Sequence, residues 1–389
     1  MTLHPTPTLG PIEWIDTDSA LAEAVDRLQS SRRVALDTEA ASFHRYVDRV
    51  YLVQMSDDLN SVLVDPLAIS DLTPIGSLLA DPAIEVVFHD ADYDLRILDR
   101  DFGFHAVRVF DTRVAAQLAN EPMVGLGALL EKYFAVKLNK KLQRADWSQR
   151  PLTEEMIAYA AADTHYLPRL RDVLEERLSG LGRFAWAEEE FRRLESIHWE
   201  GRNSNEEPYL RIKGAKALKR RQLAILRALV EWRESEAAHL DRAPFRVLSN
   251  TALIDIARRA PGDLETLRAI GGVGAGTIRR YGATILDAVQ TGLAVPESEL
   301  PSPPRRPRPA SDSAYDQRLE RLKQLRNARA QAMGMEPGLL CPNGTLQAIA
   351  RAEPDAAQGL AEISELRRWQ REVVGDRALL EAVRGSGDD

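Results

Sequence analysis

VALDTEAASFHRYVDRVYLVQMS, residues 34–56, decides the reading of this chain. Its first part, VALDTE (34–39), is a β-rich run, apolar at Val34, Ala35 and Leu36 and acidic at Asp37 and Glu39. Successive side chains on a strand alternate faces, so Asp37 and Glu39 point the same way. The apolar start marks the strand as internal. Two carboxylates on one face of an internal strand repel each other and cost free energy unless a cation sits between them. Magnesium or manganese, which prefer oxygen ligands, would resolve that conflict. A D-x-E pair is also common as a solvated or structural feature, so it needs company before it carries chemistry.

Working outward, VYLVQMS (50–56), SVLVDP (61–66) and IEVVFH (84–89) read as further strands. Between them lie helical patterns: ALAEAVDRLQ behind possible N-caps at Asp16 to Ser19, a stretch through Leu78 and Leu79, and a helix from about Asp92. This alternation predicts an α/β domain with a mixed sheet. From Thr153 onward the strand signals stop. TEEMIAYAAADTHYLPRLRDVLEERL is a long helical pattern that Thr153 can cap and Pro168 should bend or break. Tyr159 and Asp163 are four apart on it and share a face, so Asp163 can join the strand pair with Tyr159 beside it. HDADYDL (89–95) adds Asp90, Asp92 and Asp94, any of which could reach the sheet edge.

The rest of the chain is helical. Glu188 to Glu207 is charged and polar and reads as a link. Residues 209–293 form a second unit of helices split by turns. Residues 296–309 hold six prolines and read as an extended linker. A third, Arg- and Ala-rich unit starts near Asp312 and ends in the polar GSGDD tail.

Composition sets outer limits. Apolar residues make up 44% of 389 and charged residues 28%, ordinary for a globular protein of two or three domains. No run approaches the ~18 apolar residues of a membrane span. The Pro- and Thr-rich start does not read as a signal peptide. One cysteine, Cys341, excludes an intrachain disulfide and a cysteine-based zinc site. A cytoplasmic setting and no membrane partner are expected. The net charge of −8 argues mildly against a nucleic-acid partner, yet it is an average. Residues 202–246 hold eleven Lys or Arg against six Asp or Glu.

Together the motifs resemble the ribonuclease D family of the DEDD exonuclease superfamily. Residues 34–56, VVFHDADYDLRIL (86–98) and YAAADTHYL (159–167) look like its three exonuclease motifs, the last in the subgroup's Tyr-x-x-x-Asp form. DTRVAAQLAN and LNKKLQRADWSQRPLTEEMIAYAAAD are similar to ribonuclease D in particular. Residues 209–293 resemble an HRDC domain, and the final unit is placed like a second, degenerate one. The resemblance implies a ribonuclease H-like α/β nuclease domain over 12–180, followed by all-α helical domains over 209–293 and 312–385. It implies that Asp37, Glu39, Asp94 and Asp163 are metal ligands and that Tyr159 orients the attacking water. It selects Asp94 over its two neighbours. The cofactors would be two divalent cations, Mg2+ or Mn2+. The substrate would be single-stranded RNA 3′ ends, with tRNA precursors as the implied source and nucleoside 5′-monophosphates as product. An exodeoxyribonuclease and a non-catalytic RNA-binding adaptor are the alternative readings.

One departure concerns the terminal base. Ala40 stands where many relatives carry a bulky apolar residue, and Phe43 and Tyr46 are the alternatives for stacking. For the nucleic acid, the resemblance points to Lys140, Lys141 and Arg144 near the third motif. Lys213, Lys216 and Arg220 fall at helical spacing, and a helix carrying them could track phosphates. The glycines of AIGGVGAG (269–276) favour a tight turn over a phosphate cradle. His89 reads as a packed residue, and Trp147 and the Arg150–Pro151 turn as structural.

Overall fold

The computed structural model describes residues 10–201, 207–302 and 312–385. The first unit runs β1 (Ile12–Ile15), α1 (Asp18–Gln29), β2 (Arg33–Ala40), β3 (Val50–Ser56), β4 (Ser61–Val64), α2 (Thr73–Leu79), β5 (Glu85–Phe88), α3 (Asp92–Phe102), β6 (Val109–Asp111), α4 (Thr112–Leu118), α5 (Leu126–Phe134), α6 (Glu154–His165), α7 (Leu167–Gly180) and α8 (Phe184–Glu195). The strands form one mixed sheet in the order β1-β4-β3-β2-β5-β6. β3 is antiparallel to β2 and β4, and the other pairs are parallel.

The decisive strand β2 lies inside the sheet between β3 and β5. Its alternation sorts the two faces. Val34 and Leu36 pack with Leu21, Val25, Leu78 and Leu98 of α1, α2 and α3. Ala35 packs instead with Leu167 and Leu170 of α7. By the same period Asp37 and Glu39 emerge on the α6–α7 side. The predicted long helix is indeed two: α6 capped by Thr153, whose hydroxyl accepts from the Met156 N–H at 3.2 Å, then α7 with Pro168 in its first turn. Pro168 lacks the N–H that a continuous helix needs there.

The second unit holds α9 (Arg220–His239), α10 (Pro244–Val247), α11 (Asn250–Arg259), α12 (Leu264–Arg268) and α13 (Ala275–Ala294). α9 and α13 cross so closely that a Cβ on Gly292 would lie 2.3 Å from the Ile225 Cα, which only glycine tolerates. The glycine-rich 269–276 segment is the turn between α12 and α13, with Gly272 at φ 83°. The third unit holds α14 (Ser313–Met333), α15 (Pro337–Leu340), α16 (Asn343–Ala352), α17 (Ala357–Ala361), α18 (Arg368–Val374) and α19 (Asp376–Arg384). It repeats a signature of the second. Buried Arg233 donates to the Leu248 carbonyl and Asn250 Oδ1, and buried Arg326 donates to the Cys341 carbonyl and Asn343 Oδ1.

Two expectations are corrected. The link expected over Glu188–Glu207 is helical as far as Glu195, because Ala187 and Phe191 supply an apolar face to the core. α8 also docks the third unit. Trp186 stacks on Trp369 at 5.2 Å, and the Glu189 and Glu190 carboxylates accept from the Trp369 backbone and indole N–H groups. Second, Lys213, Lys216 and Arg220 do not share one helix. α9 starts only at Arg220, and Lys216 sits in a separate 3₁₀ turn, Ala215–Ala217. Gly214 at φ 98° and buried Ala215 and Leu218 fold that segment against the unit's core instead. The N-terminal Pro/Thr segment up to residue 9, 303–311 of the proline-rich linker and 386–389 of the tail lie outside the described residues.

Candidate active site

Three elements meet on the α6 side of β2. Asp37, Glu39 and Asp163 each offer a carboxylate oxygen, and these oxygens lie within 4.8 Å of one another. Asp94, in the first turn of α3, is 6% exposed and is not part of that tight set. One of its oxygens accepts from the Thr38 N–H at 3.1 Å and the Thr38 hydroxyl at 2.5 Å, which anchors α3 to the strand between Asp37 and Glu39. Its charge still acts on Glu39, and the Asp37 charge acts on it. The rival aspartates face elsewhere. Asp90 pairs with Arg113 at 2.7 Å and Asp92 with Arg96 at 2.8 Å, both on exposed surface.

Backbone geometry explains that sorting. Asp90 takes a left-handed φ of 72°, ending β5 abruptly. Buried Asp111 holds the turn by accepting from the Asp90, Ala91, Arg113 and Val114 N–H groups. α3 then starts at Asp92, and Asp94 falls on the same buried face as Leu95 and Leu98.

The electrostatics are those of an anion cluster without a counter-charge. Burial, then the Asp163 charge, pushes the Asp37 carboxyl up to about 8. Burial, then Asp37, Asp163 and Asp94, drives Glu39 well above the carboxylate range. Burial followed by Asp37 does the same to Asp94, and burial lifts Asp163 to about 7. The Tyr159 hydroxyl donates to Asp163, and burial with the nearby carboxylates raises its own pKa. All-oxygen donors, converging and mutually repelling, fit a hard divalent cation. Gln54, paired in register with Asp37 and so on the same face, is fully buried, with neither amide atom hydrogen-bonded among the described residues.

Asp37, Tyr159 and Asp163 open into a cleft of about 380 Å³, whose other walls include His89, Arg113, Met123 and Gln143. That volume is in the range of small-ligand pockets. His89 is packed as expected, with Nδ1 2.8 Å from the Thr112 hydroxyl, but it also lines the cleft. Burial lowers its pKa to about 4. Arg113, Met123 and Gln143 carried no signal in the sequence, because they come from loops and a helix start that only the fold brings to the cleft. Trp147 is buried 6.0 Å from the Tyr159 ring, and Arg150 ties its turn to Asp65 at 2.6 Å and to the Tyr51 carbonyl.

The stacking candidates serve an interdomain contact. Tyr46 packs against the core of the second unit, and Phe43 meets Phe245 edge-on at 6.0 Å. The Tyr46 N–H donates to Asp241, and Arg45 pairs with Asp241 at 3.2 Å. Among the expected nucleic-acid residues, exposed Arg144 lies over the Phe43 ring at 5.2 Å and Lys141 is exposed nearby. The Lys140 side chain lies outside the described residues. Lys213 and Lys216 are exposed, and Arg220 donates to the Leu300 carbonyl at 2.9 Å.

Comparison with known proteins agrees with this geometry. Residues 12–179 match the 3′-5′ exonuclease family, and residues 222–289 and 316–383 each match the HRDC domain. Ribonuclease D of Granulibacter bethesdensis is 34% identical over 385 residues, covering 96% of this chain and 92% of its own. The crystal structure of Escherichia coli ribonuclease D, described as an exoribonuclease involved in structured RNA processing, superposes with a TM-score of 0.69 at 28% identity. That match covers 96% of this chain and 99% of the other. A protein from Bifidobacterium adolescentis superposes with a TM-score of 0.82 at 28% identity, covering 99% and 100%.

Proposed function

The chain belongs to the ribonuclease D family and is a divalent-metal-dependent 3′→5′ exoribonuclease, and from that premise we propose that Asp37, Glu39, Asp94, Asp163 and Tyr159 are its catalytic set. The observation that carries this reading is the convergence of Asp37, Glu39 and Asp163, two of which line the cleft, with no Lys or Arg partner for them among the described residues.

Asp37, Glu39 and Asp163 would hold the cations, two ions of Mg2+ or Mn2+, with Asp94 completing the set. When bound, such ions supply positive charge to the scissile phosphate and acidify water. Thr38 fixes Asp94 through its N–H and hydroxyl, so the strand and α3 cannot drift apart. Tyr159 stays protonated at neutral pH, since a phenol ordinarily titrates near 10 and this one higher. It therefore orients the attacking water as a neutral phenol, its O–H directed to Asp163 and its oxygen free to accept from the water, and not as a base. The small volume of the cleft, about 380 Å³, supports a single unpaired 3′-terminal nucleotide as its occupant and nucleoside 5′-monophosphates as the product. Lys141 and Arg144 lie on the 3₁₀ turn between α5 and α6 and would meet the RNA backbone outside the cleft, and Lys140 joins them in this reading from the sequence alone. Lys213 and Lys216 remain candidate phosphate contacts of the second unit, and Arg220 a weaker one, since it already binds Leu300. The substrates in this reading are tRNA precursors, met in the cytoplasm.

The test is Asp163→Asn on purified protein with a 3′-labelled single-stranded RNA. The expected result is loss of mononucleotide release with the fold retained. Wild-type-like release by that variant would sink the assignment.

A further inference from the structure

Among the described residues a second cluster of metal-ligand type lies apart from the acidic one: Asp99, His105 and His198. The chain has only seven histidines, and two of them meet here although they are 93 residues apart. Asp99 is on α3, one helix turn past Asp94 and beyond. Gly103, at φ 70°, caps α3 and turns the chain back so that His105 lies beside Asp99. His198 follows α8, on the segment that leads to the second unit.

The separations are those of a coordination site and not of hydrogen bonds. His105 Nε2 is 3.6 Å from Asp99 Oδ1, and His198 Nδ1 is 3.7 Å from Asp99 Oδ2. Both exceed a hydrogen bond. Around a tetrahedral ion with bonds of about 2.0–2.1 Å, ligand atoms stand about 3.3 Å apart. Each histidine is within a few tenths of an ångström of that spacing from its nearer Asp99 oxygen, and one ligand atom from each of the three residues lies within 4.8 Å of the others. The imidazoles meet edge to face, 4.8 Å between centroids, so their ring nitrogens converge without stacking. Asp99 is oriented in advance, because it accepts from the Trp199 N–H at 2.6 Å. The nearby cations are occupied: Arg96 pairs with Asp92, and Arg100 pairs with Asp101 while lying over the Trp199 ring.

We infer that Asp99, His105 and His198 form a site for a divalent transition-metal ion of the zinc class, which clasps the segment after α8 to the nuclease domain. Two imidazoles and one carboxylate select zinc, cobalt or nickel over magnesium, unlike the all-oxygen acidic cluster. The ion leaves open positions for water, since three protein ligands do not fill its shell. Its role is mechanical: it fixes where the chain leaves the nuclease domain for the second unit.

The experiment uses the full-length, untagged, metal-stripped chain carrying Asp37→Asn and Asp163→Asn, which silences the acidic cluster. Zn2+ is titrated calorimetrically, and Co2+ by its visible absorption. One equivalent should bind with a cobalt band of low-coordinate character. Adding His105→Ala or His198→Ala should remove the band and weaken Zn2+ by at least about tenfold, since even outer-shell losses cost that much. Folding is checked in the single His198→Ala chain, which should keep full magnesium-dependent exonuclease activity because it leaves the acidic cluster intact. No Zn2+ uptake by the parent, or unchanged uptake in both histidine variants, overturns the inference.

Discussion

Glu121 and Asp37 are both carboxylates of the nuclease domain, and their surroundings are opposite. The Glu121 side chain is fully buried, yet Lys132, Arg177 and the Tyr133 hydroxyl all reach it. Glu85 likewise faces Arg171 at 2.6 Å, and Asp65 faces Arg150 at 2.6 Å. The fold thus supplies a cation to each of these three structural acids. Asp37, Glu39 and Asp163 receive instead each other. A folded chain that neutralises one set internally and leaves the other crowded has reserved the second for a cation from outside.

The sharpest way to break that comparison is to neutralise one acid in each region. Asp163→Asn should lower exonuclease turnover by at least about 100-fold, a ligand costing more than the 10–100-fold of an outer-shell group. Its melting temperature without metal should hold or rise, because one repulsive charge is gone. Glu121→Gln should do the reverse: near-normal turnover per folded molecule, with about 2 kcal/mol of stability lost in urea unfolding. That figure is below the 3–5 kcal/mol of a broken buried pair because Lys132 and Arg177 are part-exposed. Equal loss of activity in both variants would erase the distinction.

A smaller effect separates positioning from charge. Tyr159→Phe removes the hydroxyl that donates to Asp163 but no carboxylate. It should lower kcat by roughly 10–100-fold, the scale of a misplaced reactant, with KM little changed. A rise in KM alone would make Tyr159 a binding residue. The smallest effect is thermal. The acidic cluster holds its protons more tightly folded than unfolded, so the stability tied to those protons is present below the ordinary carboxylate range near pH 4 and is lost as pH rises through 7 to 8. The metal-free melting temperature should fall by a few degrees between pH 5 and 8.5, an effect on the order of 1–2 kcal/mol. Mn2+ should restore it at the alkaline end and do little at pH 5, and Asp163→Asn should blunt both responses.

The sequence was legible where periodicity and chemistry coincided. The alternation in VALDTE put Asp37 and Glu39 on one face, and the four-residue spacing put Tyr159 beside Asp163, as the structure has them. Thr153 and Pro168 marked helix ends through hydrogen bonds they make or cannot make. Asp94 was not separable from Asp90 and Asp92 by spacing. The turn that sorts them depends on Asp111, a residue twenty-one positions from Asp90 that captures its N–H. β6 was too short, at three residues, to show a period, and β1, IEWI, lacks the continuous apolar run that announced β4 and β5 at the same length. The spacing of Lys213, Lys216 and Arg220 misled because polar periodicity does not bury anything, whereas Ala215 and Leu218 do. His198 and Asp99 meet only because α8 lies against the sheet, which no local pattern announces.

The most direct test of the central claim is crystallographic: soak crystals of the full chain in Mn2+ and collect anomalous differences at the manganese edge. Manganese is expected to be coordinated by Asp37, Glu39 and Asp163, with Asp94 brought within reach, and none is expected at Glu121, Glu85 or Asp65. An empty acidic cluster at saturating Mn2+, or equal occupancy at the internally neutralised acids, would contradict that claim.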